Sequence, residues 1–309
     1  MTYNRIEFDI RSLMKKVIIV AGPTASGKTK YTINLARSSG GEIINCDSLQ
    51  VYKDLKTLTA RPNEEEMSSG PHKLFGYLDA HEKITAVEWA KMAAIAVEEA
   101  LQDGRLPIIV GGTGLYINTL INGISPMPEV QPETRAKVAT MAFEDYEGLC
   151  EKLYRVDSKI AELVTMDKHR QIQRAYEVFL ETGKSILEFY NKPRISFIDN
   201  VRYEYQVMSI GKTELHARIT ERFMRMLATG AIEEVQAFLT KIGSGNMEDF
   251  PVLKAIGAKE IIRYLHGVCS LHEATASALI NSRRYAKRQM TWLRTQIPEC
   301  VDVFHVAAT

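Results

Sequence analysis

The sequence predicts an α/β fold, a parallel sheet core interrupted by a helical subdomain. Three observations predict it. A glycine-rich loop, "AGPTASGKTK" at residues 21–30, joins the apolar run "KKVIIV" to a helical pattern. Further apolar runs alternate with helical patterns through the first third of the chain. Prolines at 126, 128 and 132 then break the pattern, and from about 132 to 192 it is helical with no convincing strand.

Taken in order, "KKVIIVA" reads as a strand apolar throughout, and "KTKYTINLARSSGG" as a helix closed by Gly40 and Gly41. "EIINC" and "LPIIVGG" are the next strands. Between them lies a helix that opens on a capping box, Thr85 with Glu88, and stops at Gly104. Strands without polar alternation, separated by helices, require a parallel sheet covered on both faces. "RYEYQVMSIG" alternates as a returning strand, helices follow from Thr213, and "VDVFHV" supplies a late short strand. The expected organisation is a core in two parts, 1–124 and 199–309, with the helical insertion at 125–198.

Hydrophobic content of 45% and charged content of 25% are those of an ordinary globular protein. A net charge of +1 means that any nucleic-acid contact must come from a local basic face. The N-terminal stretch has acidic residues and no long apolar core, so neither a signal peptide nor a membrane span is expected, and the protein is expected in the cytoplasm. Cys46, Cys150, Cys269 and Cys300 have no zinc spacing and read as reduced thiols, Cys46 as a small core residue.

The spacing G-x-x-x-x-G-K-[ST] is met by Gly22, Gly27, Lys28 and Thr29 between a strand and a helix, which makes the core P-loop NTPase-like. Across Gly22, Pro23, Thr24, Ala25, Ser26, Gly27, Lys28 and Thr29, backbone N–H groups converge on an anion. Lys28 adds a point charge, and the Thr29 hydroxyl can ligate Mg²⁺. Such a loop reads phosphates and is blind to what carries them. Asp47 falls just past the second strand, at the end of the sheet where ligands bind. It could hold Mg²⁺, act as a general base, or simply cap the next turn. The third strand ends in "GGTGLY" without an acid, which weakens ATP hydrolysis. A small-molecule kinase survives on local evidence, with Arg135, Arg170 and Arg174 as lid arginines. At 282–294, "SRRYAKRQMTWLR" holds five cations and no acid, and Arg284, Lys287, Arg288 and Thr291 share one helix face suited to a phosphate backbone.

"GPTASGKT", "INCDSLQVYKDL", "GPHKL", "LPIIVGGTGLYI", "DKHRQIQRAYEVFLETGKSI" and "YAKRQMTWLR" occur in the order and with roughly the separations of the tRNA dimethylallyltransferase family, also called tRNA isopentenyltransferases. The chain resembles that family from about residue 16 to 296. The resemblance implies transfer of a prenyl group from dimethylallyl diphosphate to N6 of adenosine 37 beside the tRNA anticodon. Diphosphate is the leaving group, Mg²⁺ the cofactor and the anticodon stem-loop the partner. It implies Asp47 as the base on N6, and Thr24 beside the bridging oxygen and the reacting amine. It implies tRNA contacts at Asp47, Ser48, Leu49 and Gln50, at Thr113 and Arg135, and at Gln171, Ile172, Gln173, Arg174 and Ala175. Lys254, Lys259, Lys287, Arg288, Gln289 and Arg294 complete that set. His72 in "GPHKL" also matches the family, and Tyr116 reads as core.

The chain departs from the family pattern at Arg61, where a lysine is usual, at Ala258, where tyrosine is common, and at Lys254, where some members have arginine. No zinc-finger extension of the eukaryotic kind follows the basic segment, so a compact, bacterial-type, monomeric enzyme is expected. The competing readings are an adenylate isopentenyltransferase, a small-molecule kinase and a non-catalytic RNA-binding protein.

Overall fold

Apolar runs bounded by glycine turns become parallel strands here because helices cover both of their faces. The computed structural model describes residues 15–297 and 302–307. Cys300, the N-terminal stretch through residue 14 and Val301 of the late strand lie outside the described residues. The elements run β1 Lys15–Ala21, α1 Lys28–Ser39, β2 Gly41–Cys46, α2 Glu64–Met67, β3 His72–Lys73, α3 Ala86–Gln102, β4 Leu106–Gly111 and α4 Gly114–Asn122. Helices α5 Pro132–Glu144, α6 Tyr146–Val156, α7 Ser158–Leu163, α8 His169–Thr182 and α9 Ile186–Tyr190 follow. Then come β5 Val201–Ser209, α10 Lys212–Ala228, α11 Ala231–Ile242, two short 3₁₀ turns, α12 Ala258–Leu265, α13 Leu271–Gln296 and β6 Asp302–Ala307.

The six strands are ordered β3-β2-β4-β1-β5-β6, and every neighbouring pair is parallel. Along β1, Val17, Ile19 and Ala21 point to the side packed with Trp89, Ala93 and Val97 of α3. Ile18 and Val20 point to the side of Ile33 and Ala36 of α1. Two buried faces explain why the strand shows no polar alternation. The sheet brings the carboxyl ends of β1, β2 and β4 to one edge, where an open α/β sheet has its ligand crevice.

Local signals act as their chemistry requires. Gly40 closes α1 at φ 65°, and its N–H bonds the Ala36 carbonyl. Thr85 and Glu88 form the reciprocal box that opens α3. One strand reading needs correction, and one strand is added. β5 does not alternate, because Glu204, Tyr205, Val207 and Met208 are all buried; Glu204 is tolerated in this position through its ion pair with Lys16 at 2.6 Å. The two-residue β3, beside Ile43 and Ile44, has no sequence signal of its own.

The chain forms two compact units, one of residues through Ile121 and from Phe197 on, the other Asn122–Ser196. The smaller unit packs α5–α9 around Val138, Leu149, Leu153, Ile160, Ile172 and Val178, and an antiparallel bridge pairs Ile124 with Ile195 near its ends. Among the described residues no helix is long and apolar enough to cross a membrane. Cys46, Cys150 and Cys269 are free thiols, and Cys46 is fully buried, as a core residue should be.

Candidate active site

The loop between β1 and α1 has the backbone its glycine spacing demands, with Gly27 at φ 87° and Ala25 also left-handed at φ 63°. Lys28 is folded back on the loop, its Nζ donating to the carbonyls of Gly22 at 2.9 Å and Pro23 at 2.7 Å. Burial pushes its ammonium down to about 8; Asp47 works against that shift and Arg222 adds to it. The Oγ of Ser26 and the Oγ1 of Thr32 are buried without a hydrogen-bond partner. The N-terminus of α1 carries no side-chain cap. Buried hydroxyls, an uncapped helix start and an ammonium all face one cleft of about 750 Å³, and Thr29 lines it too. This donor set fits a diphosphate and its cation.

Asp47 lines the same cleft. Its Oδ1 accepts from the Leu49 N–H at 2.9 Å, so the carboxylate does cap the following turn. Asn45, fully buried at the end of β2, fixes it from behind. The Asn45 amide accepts from the Asp47 N–H at 2.9 Å and donates to the Asp47 and Leu74 carbonyls at 3.1 and 2.9 Å. The Trp89 indole in turn donates to the Asn45 carbonyl at 3.1 Å. Two rigid elements thus determine where the carboxylate points.

Arg222 of α10 enters this cleft, and its guanidinium donates to the Thr24 hydroxyl. Burial lowers its pKa and Asp47 opposes that shift. Sequence reasoning did not find Arg222; the available signal was the stripe of Arg218, Arg222 and Arg225 at helical spacing, three arginines that all reach the cleft. Glu234 of α11 was also missed. Its carboxylate accepts from the N–H groups of Thr57 at 2.9 Å and Leu58 at 3.0 Å and so holds the loop 57–62 that forms one wall. Arg61 in that loop donates to the Tyr52 carbonyl at 2.7 Å.

The residues expected to contact RNA divide into several groups. On α13, Ala274, Ala278, Ser282, Ala286, Gln289 and Leu293 face inward, while Arg284, Lys287, Arg288, Thr291 and Arg294 are exposed. The cation face predicted from spacing is therefore on the surface. Lys254, ahead of α12, and Lys259, in its first turn, are exposed. Ser48 N–H donates to the Thr113 hydroxyl at 3.1 Å, Gln50 donates to the Thr59 and Ala60 carbonyls, and Leu49 packs on the core. In the helical unit Arg135 and Gln171 are exposed and Gln173 is half-buried. Arg174 is held by Glu177 at 3.1 Å and by the Pro128 carbonyl.

Three of these expectations are corrected. Ile172 and Ala175 are buried in the core of the helical unit, because they occupy the apolar stripe of α8, and their side chains offer nothing to a partner. Gln289 is 6% exposed and its amide is spent inside the protein. Tyr116 is core, as expected, stacked on Trp89 at 4.5 Å between ring centroids. His72 lines the cleft, with Nδ1 on the Gly70 carbonyl at 2.8 Å.

A family model described as IPP transferase matches residues 50–296. The chain belongs to the IPP transferase family. A tRNA dimethylallyltransferase of Hyphomonas neptunium is 39% identical over 92% of this chain and 90% of its own. Among solved structures, the full-length tRNA isopentenylpyrophosphate transferase of Bacillus halodurans is 32% identical, with a TM-score of 0.67 over 96% of this chain and 91% of its own. A eukaryotic dimethylallyltransferase acting on tRNA is 27% identical, with a TM-score of 0.82 over 96% of this chain and 74% of its own. Membership in this family of prenyl transferases disfavours the free-nucleotide and kinase readings of the phosphate loop.

Proposed function

We propose that this IPP transferase moves the dimethylallyl group of dimethylallyl diphosphate to N6 of adenosine 37, next to the anticodon of a tRNA. One observation carries the reading: a phosphate loop whose buried Ser26 hydroxyl lacks a partner shares its cleft with the Asp47 carboxylate and the half-buried Arg222 guanidinium. The adenine amine is a weak nucleophile because its lone pair is delocalised into the ring. A carboxylate that takes its proton as the new bond forms therefore lowers the barrier. In the step, N6 bonds to C1 of the dimethylallyl group, the C1–O bond breaks, diphosphate leaves and Asp47 receives the N6 proton.

Negative charge grows on the diphosphate as the bond breaks. The loop N–H groups, Lys28, Ser26 and Arg222 line the cleft and are the donors available to it, Lys28 once it exchanges the Gly22 and Pro23 carbonyls for the phosphate. Mg²⁺, when bound, neutralises part of that charge, and Thr29 is the residue that would hold it. Arg222 also holds Thr24 by its hydroxyl, which sets that side chain toward the reacting centre. Adenosine 37 is stacked on its neighbours in the anticodon loop, so the base must leave its stack to bring N6 to the donor. The exposed cations Lys287, Arg288 and Arg294 supply the backbone contacts that seat the RNA. Acting on tRNA, the enzyme works in the cytoplasm, as a monomer.

The test incubates the protein and Mg²⁺ with radiolabelled dimethylallyl diphosphate and either an anticodon stem-loop with adenosine 37 or free AMP. Label in the stem-loop is the expected result. Label only in AMP assigns a nucleotide acceptor instead, and no label with either overturns prenyl transfer.

A further inference from the structure

We propose that Gln289 is a positioning residue for the transfer step: from α13 it holds the phosphate loop against the end of β4 and thereby sets Thr24. The proposal rests on the prenyl-transfer reading above. Gln289 Oε1 accepts from the Thr24 N–H at 2.8 Å, and Nε2 donates to the Gly112 carbonyl at 3.1 Å. Both ends of one buried amide are thus used to join two loops that are far apart in sequence. Thr24 is consequently gripped twice, at its N–H by Gln289 and at its hydroxyl by Arg222.

The fit is close on the other side too. A Cβ built on Gly112 would collide with Gln289 Nε2, so the glycine is what lets the amide reach the carbonyl. Gly112 is followed by Thr113, which receives the Ser48 N–H next to Asp47. A shift of Gln289 is therefore felt at the phosphate loop and at the loop carrying the base. Its neighbours Lys287 and Arg288 point to solvent, so the two sides of one helix turn have different tasks.

Removing the amide takes the partner from the Thr24 N–H and from the Gly112 carbonyl, both half-buried, and frees Thr24 to move. A displacement of about 1 Å at a reacting group costs on the order of 10²-fold in rate. The experiment compares wild type with Gln289→Met, which keeps chain length, and with Gly112→Ala. Gly112 lacks a positive φ, so the alanine acts through the collision. For each protein, steady-state kinetics give kcat and both KM values, anisotropy gives Kd for the stem-loop, and hydrogen exchange gives protection of the peptide containing Thr24.

The expected result is a kcat lowered at least tenfold in both variants, stem-loop Kd within about twofold of wild type, and faster exchange at Thr24. Loss of stem-loop affinity with kcat retained would make Gln289 an RNA contact and overturn the proposal. Wild-type kcat with only a lowered Tm would make it a structural strut, which overturns it as well. Should Gln289→Met fail to fold, Gly112→Ala carries the same decision. Wild-type protein that prenylates neither acceptor refutes the underlying reading instead, whereas active wild type with unaffected variants refutes this proposal alone.

Discussion

At the residue scale, Asp47 does two tasks with one carboxylate. Oδ1 caps the turn at Leu49, and Asn45 holds the backbone on both sides of Asp47's Cα. Asp47→Asn keeps an acceptor for the Leu49 N–H and loses the base. Turnover should fall on the order of 10²-fold or more while stem-loop Kd stays near wild type, measured by single-turnover kinetics and anisotropy. Equal losses in both would remove Asp47 from the base role. Lys28 makes a pH prediction. Its folded pKa, about 8, lies below the ordinary 10.5, so between these values the unfolded chain binds more protons and the penalty on stability lessens as pH rises. Ligand binding runs the other way. A diphosphate favours the ammonium, so loss of the Lys28 proton should weaken affinity for dimethylallyl diphosphate above pH 8, by at most about tenfold per unit. Calorimetry at about pH 8.5, just above that pKa, in buffers of different ionisation enthalpy should show proton uptake on binding.

At the element scale, α13 divides by face. Small and apolar side chains pack inward at helical spacing, and the cations between them project out. Replacing Lys287 and Arg288 by alanine should weaken stem-loop binding and flatten its salt dependence, by roughly 0.7 to 0.9 in log–log slope for each phosphate no longer neutralised. Titrations across a range of salt concentrations measure this. An unchanged slope would mean that these cations meet only solvent. The cation face was legible because charge and period both lie in the sequence. The inward use of Gln289 was not, because its two partners, Thr24 and Gly112, sit more than 170 residues away and only folding brings them within reach.

At the scale of the whole molecule, the helical unit carries its own core, separate from the two clusters on the faces of the sheet. Leu153 is fully buried in it. Leu153→Ala should cost this unit about 2–5 kcal/mol. Hydrogen exchange should then quicken across 122–196 while β1 and β4 keep their protection. Uniform loss across the chain would mean that the units unfold together.

The sequence by itself determined the phosphate loop, five of the six strands of the central sheet, the helical insertion, the position of Asp47 past β2 and the exposed cations of α13. Each of these is encoded by neighbours within a few residues, through spacing, capping or period. The tertiary structure decided what only distant partners can set. It placed Arg222 on Thr24, fixed the wall loop with Glu234, added β3 to the sheet edge and turned Gln289 inward. A hydrogen-bond partner hundreds of residues away has no local pattern to name it, since that geometry exists only once the sheet and helices have packed.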